Sequence, residues 1–181
     1  MLIENQDYLL HNETDKVEMI ILADGVSSCS KSRKGAQIAC ETVEKILTLN
    51  GTQLFDLDKK IIANLILDNV LSKLKIEQKK DKCEITDYSS TLSFACLDKN
   101  KKRVLSFSLG DSMIYKLSEK GCILIDQLDS CLGNKCCATT TIRASEKVKI
   151  NKFDSKEMNG IMLCSDGAWR LFYNYNVFDK K

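Results

Sequence analysis

The chain has 181 residues, of which 44% are hydrophobic and 29% charged, and its formal net charge is +2. That describes one globular domain with room for a sizeable core; it excludes a disordered chain and argues against a nucleic-acid surface or a polybasic membrane patch. No apolar run approaches the roughly 18 residues of a spanning helix, and Met1–Leu10 carries Glu4 and Asp7 with no basic stretch, so it is no signal peptide; a cytoplasmic protein is expected.

In chain order, Tyr8–His11 and Glu18–Leu22 are predicted strands joined by the polar turn Asn12-Glu13-Thr14-Asp15. Gly25–Lys34 is a loop rich in serine and basic residues. Gly35–Leu49 is a helix with Ile38, Thr42 or Val43, and Ile46 on one face, closed by Asn50-Gly51. Asp58 caps a second helix running to about Gln78, whose Ile61, Ile62, Leu65, Ile66, Val70, Leu71 and Leu74 recur at helical spacing. Lys79–Asp87 is a charged loop. Four strands follow, Ser90–Leu97, Arg103–Leu109, Met113–Leu117 and Cys122–Ile125, separated by short turns, which is the pattern of an antiparallel meander. Leu128–Ala144 is irregular, Lys147–Phe153 and Ile161–Ser165 are two more strands, and Ala168–Tyr173 starts a helix. There is no proline, no linker and no internal repeat, so the fold class is α+β, with the two helices covering one sheet face.

Nine cysteines and a single histidine are present. No Cys-x-x-Cys pair occurs, the cysteine count is odd, and Cys40, Cys96 and Cys164 fall within predicted helix or strand. Free thiols in a reducing compartment explain this best. A zinc site at Cys131, Cys136 and Cys137 fits no ligand spacing. His11 is expected to be a satisfied surface residue.

The chemistry is carried instead by aspartates at strand ends. Three apolar runs finish on an aspartate beside a glycine: Ala23-Asp24-Gly25, Leu109-Gly110-Asp111 and Cys164-Ser165-Asp166-Gly167. A carboxylate there is held by a rigid element, and the glycine permits a sharp turn and a close backbone approach. Each is also an ordinary turn, and Gly110-Asp111 is an acceptable hairpin loop. Three together point to carboxylates converging on hard cations, for which all-oxygen ligation suits Mg²⁺ or Mn²⁺.

In order, Asn5-Gln6-Asp7, Ala23-Asp24-Gly25-Val26, Gly35-Ala36 opening a helix, Ser89-Ser90-Thr91-Leu92, Leu109-Gly110-Asp111-Ser112 and Leu163-Cys164-Ser165-Asp166-Gly167-Ala168-Trp169 resemble the segments of the metal-dependent Ser/Thr protein phosphatases of type 2C, bacterial type. The resemblance covers about residues 4–173. It implies a four-layer α-β-β-α sandwich of two antiparallel sheets, with the whole of 1–181 as one phosphatase domain. It implies hydrolysis of phosphoserine and phosphothreonine in phosphoprotein substrates by a water activated between two Mg²⁺ or Mn²⁺ ions. Asp24 would bridge both metals, the Gly25 carbonyl would bind one and Asp166 the other; Asp24 and Asp166 are thus the catalytic pair. Asp7 would orient metal-bound water, and Asp111 would help to hold a third metal. Neither nucleic acid nor membrane is implied as a partner, and a monomer is favoured. Lys31, Arg33 and Lys34 could draw in a phosphate or form a solvated basic turn.

The chain also departs from the family pattern. An Asp-Asn pair on a strand well after Asp166 supplies the family's last metal ligand, and nothing up to Lys181 matches it, so the closing helix and strand of the sandwich are expected to be missing. The phosphate-contacting arginine would fall near Leu2; Met113, Val26 and Ser89 or Ser90 stand where an arginine, a histidine and a glycine occur in many members. A catalytically impaired, partner-binding version of the fold, or a fragment of a longer chain, is the alternative reading.

Overall fold

The computed structural model describes residues 5–125, 137–156 and 158–168. Strand β1 (Tyr8–Glu13) turns into β2 (Val17–Ala23), the turn being closed by the Thr14 hydroxyl, which accepts from Val17 N–H at 3.1 Å. β1 runs past the expected His11 because the ladder continues through Asn12↔Met19 and Glu13↔Glu18. The Asn12 amide is occupied at the same time, donating to Glu44 Oε1 at 2.6 Å.

Helix α1 spans Ser32–Leu54, so the Asn50-Gly51 pair does not end it. Gly51 is buried, and a Cβ there would lie 3.1 Å from Val17 Cγ1. The helix passes close over β2 at this point, and packing outweighs the roughly 1 kcal/mol that an interior glycine costs a helix. Helix α2 spans Lys59–Asp81 and is capped as expected, Asp58 Oδ1 accepting from Lys60 N–H at 2.7 Å. Ile62, Ile66, Val70 and Leu74 are fully buried and form the inward stripe; of the other apolar positions, Leu65 and Leu71 lie at its margin and Ile61 is exposed. The predicted charged loop after it is instead a last helical turn, a left-handed cap at Lys82 (φ 53°) and a 3₁₀ turn at Ile85–Tyr88.

The remaining strands are β3 (Leu92–Asp98), β4 (Arg103–Leu109), β5 (Met113–Ser118), β6 (Gly121–Leu124), β7 (Lys149–Asp154) and β8 (Gly160–Cys164). They do not form one meander. β1-β2-β3-β4-β7 make a five-stranded antiparallel sheet, and β6-β5-β8 a separate three-stranded one. Gly110-Asp111 is therefore a crossover between sheets, not a hairpin loop; Gly110 has φ 109°, a backbone open to glycine that re-aims the chain. One face of the larger sheet carries Met19, Ile21, Phe94, Cys96, Leu105, Phe107 and Ile150 into a core shared with both helices. The Phe94 and Phe107 rings stack there, 4.9 Å apart. The opposite face carries the smaller Ser93, Ala95, Ser106 and Ser108 in register, which lets the second sheet approach closely. Three layers of the expected four-layer sandwich, helices and two sheets, are thus present among the described residues. Residues 169–173 of the predicted last helix and Cys131 and Cys136 lie outside them.

Far from the strand ends just named, the β3–β4 turn is clamped to the end of α1. Asp98 is 1% exposed and accepts from Asn100 N–H, Lys101 N–H and Arg103 Nε. Arg103 also reaches Asp56 Oδ1 at 2.8 Å and lies 4.5 Å over the Phe55 ring.

Candidate active site

At the end of β2, Asp24 is fixed by its backbone. Its N–H donates to Thr91 Oγ1 at 2.9 Å, and its carbonyl accepts from Thr91 N–H at 2.8 Å. Gly25 and Ser90 form an isolated bridge, and Val26 N–H donates to the Ser89 carbonyl at 3.0 Å. Gly25 N–H meets the Gln6 carbonyl at 3.3 Å. A Cβ at Gly25 would sit 2.9 Å from each of Gln6 Cβ, Gln6 O and Ser32 C, so only glycine lets the segment before β1, the end of β2 and the start of α1 meet here.

Two further carboxylates converge on Asp24. Asp7 arrives on the segment before β1, its N–H held by Asn5 Oδ1 at 2.9 Å and its Oδ2 accepting from Ser165 Oγ at 2.9 Å. Asp166 follows Ser165 at the end of β8. Burial pushes the Asp24 carboxyl up to about 8, reinforced by hydrogen bonding and repulsion from Asp7 and then by Asp166. Three acids drawn from three elements, spanning both sheets, are thus crowded until one of them holds a proton at neutral pH. A cation would relieve that crowding.

The donor set fits Mg²⁺ or Mn²⁺: carboxylate and backbone oxygens, with no thiol or imidazole among the converging groups. Among the described residues no three His, Cys, Asp or Glu side chains stand as a ready-made cage. That is compatible with Mg²⁺, which takes one or two carboxylates and keeps several waters.

The other predicted residues fall as follows. Asp111 is half-buried at the sheet crossover and is not among the groups that raise Asp24. It borders the site through its neighbour Ser112, whose Oγ lies 3.4 Å from Thr91 Oγ1. The basic residues Lys31 and Lys34 are held in ion pairs. Lys34 Nζ pairs with Glu77 Oε2 at 2.8 Å and Asp81 Oδ2 at 3.0 Å, and Lys31 Nζ stands 3.8 Å from Asp81, so both fasten the start of α1 to the end of α2. Arg33 is engaged as well. His11 is exposed beside Glu18, 3.3 Å away.

Sequence reasoning gave no role to Thr91 or Ser165, the two hydroxyls that hold the carboxylates. Ser165 stands next to a predicted ligand, but its partner is 158 positions away, and no local spacing shows that. Tyr88 was missed too: it is fully buried, donates to Asp81 Oδ2 at 2.7 Å, and its carbonyl would be 2.0 Å from a Cβ on Gly35. It locks the segment carrying Thr91 against α1.

The sequence profile of the protein phosphatase 2C family matches residues 3–181. No curated protein sequence matches the chain. Among solved structures, RsbX in complex with magnesium superposes with a TM-score of 0.60 at 14% identity, over 91% of this chain and 68% of that one. The Staphylococcus aureus serine/threonine phosphatase Stp1 gives 0.60 at 13% identity, over 91% and 71%. A protein of the bacterial stressosome gives 0.57 at 17% identity, over 97% and 79%.

Proposed function

Because this chain belongs to the protein phosphatase 2C family, a family of metal-dependent protein serine/threonine phosphatases, we propose that it hydrolyses phosphoserine and phosphothreonine at the cluster of Asp7, Asp24 and Asp166. The observation that carries this reading is the convergence of those three carboxylates, with Asp24 raised to about 8 by burial and by the other two.

Asp24, with Asp166 and the Gly25 carbonyl, would hold two Mg²⁺ or Mn²⁺ ions, and Asp111 a third. When bound, such ions supply an activated water and offset charge on the phosphoryl oxygens. The chain's own groups do the rest. The rigid end of β2 fixes Asp24 through Thr91. Asp7, whose Oδ2 is tied to Ser165, would accept a hydrogen bond from a water of the cations and so help to hold and orient it. The P–O ester bond breaks, phosphate leaves, and the serine or threonine oxygen takes a proton. No side-chain nucleophile is needed, so a lone exposed histidine is no obstacle.

The substrates are phosphoproteins, and the proposed setting is the cytoplasm. The free thiols at Cys29, Cys40, Cys83, Cys96, Cys122, Cys137 and Cys164 suit a reducing compartment. Among the described residues no helix is long and apolar enough to cross a membrane. The test is phosphate release from a phosphothreonine peptide in Mn²⁺. Release is expected; none at any Mn²⁺ concentration, from folded protein, overturns the reading.

A further inference from the structure

Asp7 precedes β1, outside the ladder, and its carboxylate lies against Asp24, whose ionisation it opposes. An acid on such a segment swings toward water unless something holds it. Its backbone is pinned by Asn5 and by the Gln6–Gly25 hydrogen bond, but its side chain meets a neutral donor at Ser165, Oγ to Oδ2 at 2.9 Å.

Ser165 is well placed for that task. It is 8% exposed, it follows Cys164, which pairs with Met113 in the second sheet, and its carbonyl accepts from Ala168 N–H at 3.1 Å. Its backbone is therefore fixed on both sides. A hydroxyl on a fixed backbone can hold a carboxylate in one orientation without adding charge to the cluster, which a lysine or arginine would do at the cost of competing with a cation.

We infer that Ser165 is a positioning residue, whose hydroxyl fixes the Asp7 carboxylate beside Asp24 for cation binding. The dipeptide Ser165-Asp166 then serves twice: Asp166 supplies a carboxylate and Ser165 aims another from the far end of the chain. This rests on the metal-site reading above. Groups that orient metal ligands from outside the coordination sphere typically contribute about 10- to 100-fold in affinity.

The test is Mn²⁺ titration of the full chain, read by the electron paramagnetic resonance signal of free aqueous Mn²⁺, with thermal unfolding of metal-free protein alongside. Ser165→Ala should weaken Mn²⁺ binding at least about 10-fold with little change in metal-free melting, and Ser165→Thr, which keeps the hydroxyl, should restore it. In an Asp7→Asn background, Ser165→Ala should have no further effect on affinity, a comparison that holds even where the single variant is poorly folded. Wild-type affinity in Ser165→Ala, or additive losses in the double variant, overturns the inference while leaving the metal site standing. Failure of the wild-type chain to bind Mn²⁺ overturns both.

Discussion

Thr91 and Asp24 are joined twice, the Asp24 N–H donating to Thr91 Oγ1 at 2.9 Å and the Thr91 N–H to the Asp24 carbonyl at 2.8 Å. The second bond is a backbone pairing that any residue at 91 would make. The first belongs to the side chain, and it sits in a 3%-exposed position. Thr91→Val keeps the shape and leaves the Asp24 N–H without an acceptor, an omission that costs about 1–3 kcal/mol. Chemical denaturation should show that loss, together with weaker Mn²⁺ binding, and Thr91→Ser should recover most of both.

The crowding at Asp24 gives the metal-free protein a distinctive pH dependence. Its folded carboxyl titrates at about 8, above the ordinary value of about 3.9, so between those limits the folded state binds the extra proton. Stability from this group is fully present below about pH 4 and is lost as pH rises through 8. Denaturant midpoints in EDTA should therefore fall from pH 5 to pH 9. Asp24→Asn should flatten that fall, and saturating Mn²⁺ should reverse it, because the cation favours the ionised form.

Gly35 sets the distance between α1 and the segment that carries Thr91. A Cβ there would lie 2.0 Å from the Tyr88 carbonyl oxygen, a backbone atom that cannot swing aside. Gly35→Ala should cost about 3 kcal/mol, well beyond any gain in helix propensity. Circular dichroism melting checks this; a wild-type or higher midpoint would contradict the packing described.

Arg103 offers a stability effect remote from the site. Arg103→Met removes the Nε donor 3.1 Å from buried Asp98 and the contact to Asp56, while Asp98 keeps its two backbone donors. The expected loss is about 2 kcal/mol, or roughly 4–8 °C in melting temperature, with Mn²⁺ affinity unchanged.

Much of this architecture was legible from local pattern. The stripe Ile62, Ile66, Val70, Leu74 behind the Asp58 cap placed α2, and the run Arg103–Leu109, apolar at Val104, Leu105, Phe107 and Leu109, placed β4 with its observed bounds. Asp24 and Asp166 could be singled out because strand-end carboxylates beside glycine leave a local mark, whereas Asp7, just before the first strand, stood out through the family resemblance. What could not be read there depends on tertiary approach. Asn50-Gly51 carries a stop signal that close packing on Val17 overrides. Gly110-Asp111 has the composition of a hairpin loop yet passes between sheets, since turn chemistry does not say which strand is the next partner. Lys31 and Lys34 were legible as cations, but not the acids of α2 that occupy them. Ser165 and Thr91 act on partners distant in sequence, and a hydroxyl has no periodicity to betray that.

The central claim is that catalysis depends on a cation held at Asp24. The most direct measurement is phosphate release from a phosphothreonine peptide by wild-type and Asp24→Ala protein, each in Mn²⁺ and in excess EDTA. Wild-type protein should be active in Mn²⁺ and silent in EDTA, and Asp24→Ala should lose at least about 100-fold while remaining folded. Hydrolysis that persists in EDTA, or an Asp24→Ala protein working at the wild-type rate, would contradict it.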